Sequence, residues 1–404
     1  MPAVQIINEP PRKKKSKSVV ALTMTPYETI PVPLGDRAYD IRIGSGLLDV
    51  VGALVKPRLA GTKVLVVADA TVAAAHGTRL LASLTAAGLA PTLFTFPAGE
   101  PSKSLATAEA AWAACASAKI DRTDAVLGFG GGVSGDLAGF VASCWMRGVR
   151  FVQVPTSLLA MVDSSVGGKT GVNSAAGKNL VGAFCQPVAV VIDPTLISTM
   201  DPREYRAGLA EVLKYGVIND PVFLTWQEQN AAALDRGEPA AVAHAVAESC
   251  RIKAWYVEQD ELEQGVRAHL NYGHTFGHAL ERETKYRQYL HGEAVGLGMR
   301  MAVELAARTG LLQTPDLAAR QDALLRAYHL PLVHAAADPL ATAASLTAAC
   351  ALDKKVAKGA TRFILPVRPG TVELVTAPDA GQVQAAFSSA LVESETIAAG
   401  TGTP

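Results

Sequence analysis

Two groups of residues in this chain have types and spacings suited to chemistry. The first lies in residues 128–184, GFGGGVSGDLAGFVASCWMRGVRFVQVPTSLLAMVDSSVGGKTGVNSAAGKNLVGAF, where glycines alternate with cations and small polar groups. Gly130-Gly131-Gly132 follows the apolar run 125–129. A buried strand is therefore expected to empty into a turn whose backbone amides can approach an anion without interference from a Cβ. Asp136 is expected to open the helix that follows. Gly167-Gly168-Lys169 and Gly177-Lys178-Asn179 each set an ammonium beside flexible backbone, which suits a dianion such as a phosphate. A glycine triplet after a strand is by itself compatible with a plain tight turn. Its company argues otherwise: Arg147, Asp163, Lys169, Lys178 and Asn179 have no use in an apolar interior, where an unpaired charge is costly.

The second group is Asn271-Tyr272-Gly273-His274-Thr275-Phe276-Gly277-His278, followed by His291-Gly292-Glu293. Histidines four apart share one face of a helix. Together with Glu211, Lys214, Lys253, Arg267 and Asn271 on predicted helices, these imidazoles suit a divalent ion, because catalytic zinc takes three nitrogen or carboxylate ligands and keeps one position open. By spacing alone, His274 and His278 are the ligand pair.

These groups need a scaffold, and the chain is long enough for two domains at 404 residues. Before about residue 200, β-branched runs at 64–67, 91–96, 125–129, 151–154 and 188–192 alternate with alanine-rich helical patterns such as 106–119. That alternation predicts a parallel sheet layered by helices. Beyond it, 202–215, 221–234, 239–258, 292–309 and 315–328 read as helices joined at proline or glycine, with a late hairpin within 361–374. The expected organisation is a disordered basic leader at 1–30, an α/β domain at 31–200, a mainly α-helical domain at 201–392 and a flexible tail at 393–404. No apolar run reaches the roughly 18–20 residues of a spanning helix. The 37 basic residues balance 37 acidic ones, which argues against a nucleic-acid surface built on bulk positive potential. Five scattered cysteines indicate neither a disulfide framework nor a thiolate zinc site, and fit a reducing cytoplasm.

The blocks GGGVSGDLAGF, RGVRFVQVPTSLLAMVDSSVGGKTGVN, GKNLVGAF, GLAEVLKYG, LNYGHTFGHALE and LHGEAVGLGM resemble, in order, the signature blocks of the 3-dehydroquinate synthase family of sugar phosphate cyclases. The resemblance covers about residues 39–375. It implies a Rossmann-like NAD-binding domain followed by an all-α metal- and substrate-binding domain, in a cytoplasmic homodimer. The implied activity is that of an NAD- and metal-dependent lyase of the shikimate pathway, which converts 3-deoxy-D-arabino-heptulosonate 7-phosphate into 3-dehydroquinate and phosphate. NAD would be regenerated within each turnover.

Position by position, the resemblance assigns a zinc or cobalt ion to Glu211, His274 and His291. It turns His278 toward the substrate, against the spacing reading. It implies that Asp69, Glu100 and Lys103 bind the adenosine end of NAD, while Gly131, Gly132, Val133 and Asp136 hold the pyrophosphate and its ribose. Thr156, Ser157, Lys178 and residues 196–199, Thr199 among them, complete that site. Asp163 and Lys169 stand where nicotinamide meets substrate. The implied substrate shell is Arg147, Lys169, Asn179, Lys214, Lys253, Arg267, Asn271, His278 and one lysine of Asp353-Lys354-Lys355.

Other cyclases make valiolone-type, gadusol-type or 2-deoxy-scyllo-inosose rings from sugar phosphates that lack a carboxylate. The cations of this shell favour an acid substrate over those. Metal-dependent polyol dehydrogenases, which resemble this order of domains, are a further alternative, as is a degenerate binding protein. The latter should have lost matched positions, and none is lost.

Overall fold

A computed structural model describes residues 27–356 and 361–394, with the side chains of all but 351–356. The leader before residue 27 and the tail beyond 394 lie outside the described residues, and the choice between Lys354 and Lys355 falls on side chains that are not described. The strands are β1 (Glu28–Val32), β2 (Tyr39–Ile43), β3 (Lys63–Asp69), β4 (Ala90–Phe96), β5 (Ala125–Gly130), β6 (Arg150–Pro155), β7 (Lys169–Ser174), β8 (Gly177–Phe184), β9 (Ala189–Ile192), β10 (His334–Ala336), β11 (Arg362–Arg368), β12 (Thr371–Thr376) and β13 (Leu391–Glu393). The helices are α1 (Val51–Val55), α2 (Ala70–Ala86), α3 (Leu105–Ser117), α4 (Gly132–Cys144), α5 (Pro202–Ile218), α6 (Pro221–Asp235), α7 (Pro239–Gln259), α8 (His274–Glu283), α9 (His291–Arg308), α10 (Leu317–Ala327), α11 (Pro339–Val356) and α12 (Ala380–Ser388). Among the described residues, no helix is long and apolar enough to cross a membrane.

Seven strands form one sheet in the order β1-β2-β9-β6-β5-β3-β4, parallel throughout except for β1. Its central strands β3, β5 and β9 are apolar on both faces, as a sheet covered on both sides requires. In β3, Val64, Val66 and Ala68 join one buried cluster while Leu65 and Val67 join another with Leu137 and Val141 of α4. The first cluster runs on into Leu209 and Leu213 of α5 and Val246 and Val257 of α7. The helical half is therefore packed onto the inner face of the sheet through one continuous core, which holds the site between them in register.

Local chemistry explains several helix starts. Asp201 and Asp220 cap α5 and α6, accepting hydrogen bonds from the first-turn amides, with proline at the first helical position of each. Helix α5 outruns the predicted 202–215 to Ile218, stopping only where the next cap takes over.

Three expectations need correction. Residues 28–30, assigned to the leader, belong to β1, which pairs with β2. Helix α4 opens at Gly132, not at Asp136, because Gly131 serves as its cap. The lysine-bearing glycine segments are not free loops: β7 and β8 form a hairpin in which Gly171 and Gly182 face each other. A Cβ at Gly182 would overlap the Thr170 carbonyl oxygen, so this glycine permits close strand pairing.

Candidate active site

A cavity of about 580 Å3 opens between the sheet domain and the helices, lined from one side by Asp136, Asp163 and Lys169 and from the other by Lys214, His274 and His291. Glu211 lies on the buried face of α5, while His274 and His291 are the first residues of α8 and α9. Glycines let these three helices approach. A Cβ at Gly292 would overlap the carbonyl oxygen of Ala207, one turn before Glu211. One at Gly298 would overlap that of Gly273, whose left-handed backbone (φ 80°) caps α8 just before His274.

The Nε2 atoms of His274 and His291 each lie 3.6 Å from Oε1 of Glu211. Their Nδ1 atoms point the other way, 3.1 Å from the Tyr272 carbonyl oxygen and 3.3 Å from Glu281 Oε1. Each ring thus has a back partner for a proton on Nδ1, leaving the Nε2 lone pair to face Glu211. Glu211 is fully buried, yet its Oε1 accepts no hydrogen bond among the described residues. An orphaned carboxylate oxygen facing two imidazole nitrogens, all three ligand atoms within 4.8 Å of one another, fits a divalent cation such as zinc or cobalt. Desolvation, then the nearby Lys214 ammonium, hold the His274 pKa well below the ordinary imidazole range, so the ring stays neutral. Desolvation also works against protonated His291, but Glu281 and Glu211 outweigh it and the net shift is upward.

His274 and His278 do not form the ligand pair expected from spacing. Their rings meet edge-on at 5.5 Å, because the link to Tyr272 turns His274 toward Glu211. His278 instead borders the cleft, half exposed, and groups with Glu281 and His291.

A chain of opposite charges adjoins this cluster. Lys214 Nζ is 2.5 Å from Glu211 Oε2 and 3.6 Å from Asp163 Oδ2, and Lys253 pairs with the other Asp163 oxygen. Asp163 sits on a π-helical turn, Ala160–Ser164, a local irregularity that aims it inward. Burial alone would raise its pKa; Lys214 and Lys253 outweigh that and hold it far below the carboxylate range. At the cavity wall Lys169 pairs with Glu263, which also accepts a 2.8 Å hydrogen bond from Asn271 Nδ2. Burial, then Arg267 and Lys253, push the Lys169 pKa down to about 8. Arg267 is buried and donates to the carbonyl oxygens of Gly167, at 3.0 Å, and of Glu261.

The glycine turn lies at the carboxyl end of β5, where ligands bind in parallel α/β sheets. Gly130 adopts φ 147°, and a Cβ there would overlap the Ser134 hydroxyl. Gly131 and Gly132 face Ser157 and Ser164, and among the described residues no side chain caps the N-terminus of α4, which leaves its first-turn amides, Val133 among them, suited to an anion. Thr156 N donates to the Gly130 carbonyl oxygen, closing the turn. Asp69 caps α2 through Val72 N at 2.9 Å and faces Ser134. Glu100 accepts from Asn173 and lies 3.9 Å from Lys178. Lys103 pairs with Asp136 and donates to Asn179 Oδ1 at 2.6 Å, tying the turn to the cavity. Thr199 hydrogen-bonds His76.

Arg147 is the exception among the described residues of the expected substrate shell. It stands exposed with φ 69° on the turn after α4 and does not line the cavity. The break to Gly148 that ends the helix turns it outward. Sequence reasoning missed Glu263 and Glu281. The second stands three residues after His278, a spacing that marks a shared helical face; the first, in an irregular acidic loop, carried no such signal.

Comparison with solved structures defines the class of protein. The fold is that of 2-epi-5-epi-valiolone synthase from Streptomyces hygroscopicus with NAD+ and Zn2+ bound, at a TM-score of 0.77 and 29% identity, over 87% of this chain and 96% of that one. It is also that of 2-deoxy-scyllo-inosose synthase complexed with carbaglucose-6-phosphate, NAD+ and Co2+, at a TM-score of 0.78 and 24% identity, over 90% and 100%. A probable glycerol dehydrogenase from Sinorhizobium meliloti shares the fold at a TM-score of 0.60 and 17% identity, over 86% and 95%.

Sequence narrows the class. Residues 93–207 match the model of the 3-dehydroquinate synthase N-terminal region and residues 208–356 that of the C-terminal region. The 3-dehydroquinate synthase of Rhodospirillum rubrum is 49% identical over 90% of this chain and 94% of its own length. That of Brucella ovis is 50% identical over 85% and 91%. The chain belongs to the 3-dehydroquinate synthase family.

Proposed function

We propose that this protein converts 3-deoxy-D-arabino-heptulosonate 7-phosphate into 3-dehydroquinate and phosphate as an NAD- and metal-dependent lyase. The supporting observation is the convergence, on one cavity, of the Glu211–His274–His291 cluster with an unusual density of cations, an arrangement suited to a small molecule bearing both a carboxylate and a phosphate. A divalent ion held by those three residues would supply Lewis acidity toward substrate oxygens, and NAD at the glycine turn would supply a hydride acceptor that is restored before product leaves. The reaction has no net redox change: substrate loses phosphate and closes its ring, so NAD is needed only in catalytic amount.

The chain's own residues bind, orient and shield. Lys169, Asn271 and Arg267 offer charge and hydrogen bonds to the anionic groups of the substrate. Lys214 and Lys253 gather around Asp163 and hold the interior near neutrality until the ligand arrives. His278, bordering the cleft, is placed to face the substrate. Lys103, Asp136 and Asn179 join the dinucleotide side to the substrate side. Arg147 would need a position other than this one to reach the same ligand. Five free cysteines and the family pattern support a cytoplasmic enzyme, and we take a homodimer as its assembly.

The test is direct. Protein given the heptulosonate phosphate, trace NAD and zinc or cobalt should release phosphate and 3-dehydroquinate in equal amounts, with no accumulating NADH absorbance and with full loss of turnover after chelation. Steady turnover by metal-free protein, or preference for sedoheptulose 7-phosphate, would overturn the reading; the latter would favour the valiolone-forming cyclases.

A further inference from the structure

Beyond lying behind Nδ1 of His291, Glu281 is placed between two imidazoles of the site. It lies on α8 and is 5% exposed. Its Oε1 is 3.3 Å from Nδ1 of His291, and its Oε2 is 4.0 Å from Nε2 of His278. A buried carboxylate needs donors or positive partners, and among the described residues the two such side chains within 4 Å of its oxygens are imidazoles of the site, with the Lys178 charge acting from farther off. His291 therefore stands between two carboxylates, with Nε2 toward Glu211 and Nδ1 toward Glu281. A neutral imidazole carries one ring proton, and whichever carboxylate accepts it leaves the other nitrogen as the lone-pair donor.

We propose that Glu281 is the positioning residue of the metal centre: it accepts the Nδ1 proton of His291, fixes the ring with Nε2 aimed at the cation beside Glu211, and anchors His278 on the substrate side. The group formed by His278, Glu281 and His291 is then not a second ion site, since Nδ1 of His291 is occupied by its proton. It is the support that keeps the two histidines in separate tasks, one for metal and one for substrate. Glu281 is a positioning residue, with no contact to the cation itself.

The inference rests on the proposed metal site, and cobalt titration of the purified protein separates the two. If the unaltered protein binds no cobalt at Glu211, His274 and His291, both fall. If it does, Glu281→Ala should weaken cobalt and zinc binding about 10- to 100-fold and shift the visible absorption bands of the bound cobalt. Glu281→Gln, which keeps an acceptor but no charge, should fall between the two and unfold in the metal-free state at the unaltered temperature, so it carries the test should the alanine variant fail to fold. Variants that bind cobalt with unchanged affinity and spectrum overturn the proposal. So does a lower metal-free unfolding temperature as the sole effect.

Discussion

Lys214 Nζ lies 2.5 Å from Glu211 Oε2, and neither side chain is more than 1% exposed. One turn of α5 thus holds opposite charges in a dry interior, where each depends on the other. Deleting the ammonium strands the carboxylate of Glu211 and leaves Asp163 with Lys253 as its partner. Lys214→Met should cost the metal-free protein about 3–5 kcal/mol of stability. Added zinc should recover more stability in the variant than in the unaltered protein, because the cation then replaces the lost ammonium beside Glu211. Urea unfolding with and without zinc checks both, and an unchanged midpoint would show that the pair lacks this weight.

Lys169 supplies the pH dependence. Its pKa is lowered to about 8, so its positive charge is present below that pH and lost as pH rises through it. An anionic substrate needs the charged form. A plot of kcat/KM against pH should fall on the alkaline side with an apparent pKa near 8. Lys169→Arg should move that limb to higher pH, since a guanidinium stays protonated there. A limb that does not move assigns it to another group.

The close approach of α9 to α5 depends on Gly292. A methyl there would press on the Ala207 carbonyl oxygen and push His291 away from Glu211. Gly292→Ala should lower stability by about 1–3 kcal/mol through overpacking. It should also weaken zinc binding at least about 10-fold, read by competition with a chromophoric chelator. Loss of stability with metal affinity intact would separate the helix contact from the site.

His278 faces the cleft, apart from the Glu211 cluster. His278→Ala should therefore retain bound zinc while losing on the order of 100-fold in kcat. Metal analysis of the purified variant is the check; a metal-free variant would return His278 to the ligand set that its spacing suggests.

Much of the fold is readable from local pattern. Runs such as 64–67 and 125–129 are apolar at every position, which only a strand covered on both faces can use, and they become neighbours in the sheet. Aspartate-proline pairs at 201–202 and 220–221 announce helices that begin there. The hairpin at 169–184 escaped notice because its glycines look the same whether they admit a phosphate or a neighbouring strand.

What the sequence by itself determined is the kind of chemistry and the elements that carry it: a glycine turn after a buried strand, a set of cations, and two histidines four apart with a third nearby. Only the tertiary structure decided which of those groups meet. His274 and His278 share a helix, yet the partner of His274 is Glu211, 63 positions earlier in the chain. Spacing along a helix gives the face a side chain occupies, but the direction of an imidazole depends on what binds its other nitrogen and on how closely the next helix can pack. Here those are the Tyr272 carbonyl two residues before His274, Glu281 ten residues before His291, and the glycines that let α5, α8 and α9 approach, geometry that spacing alone does not encode.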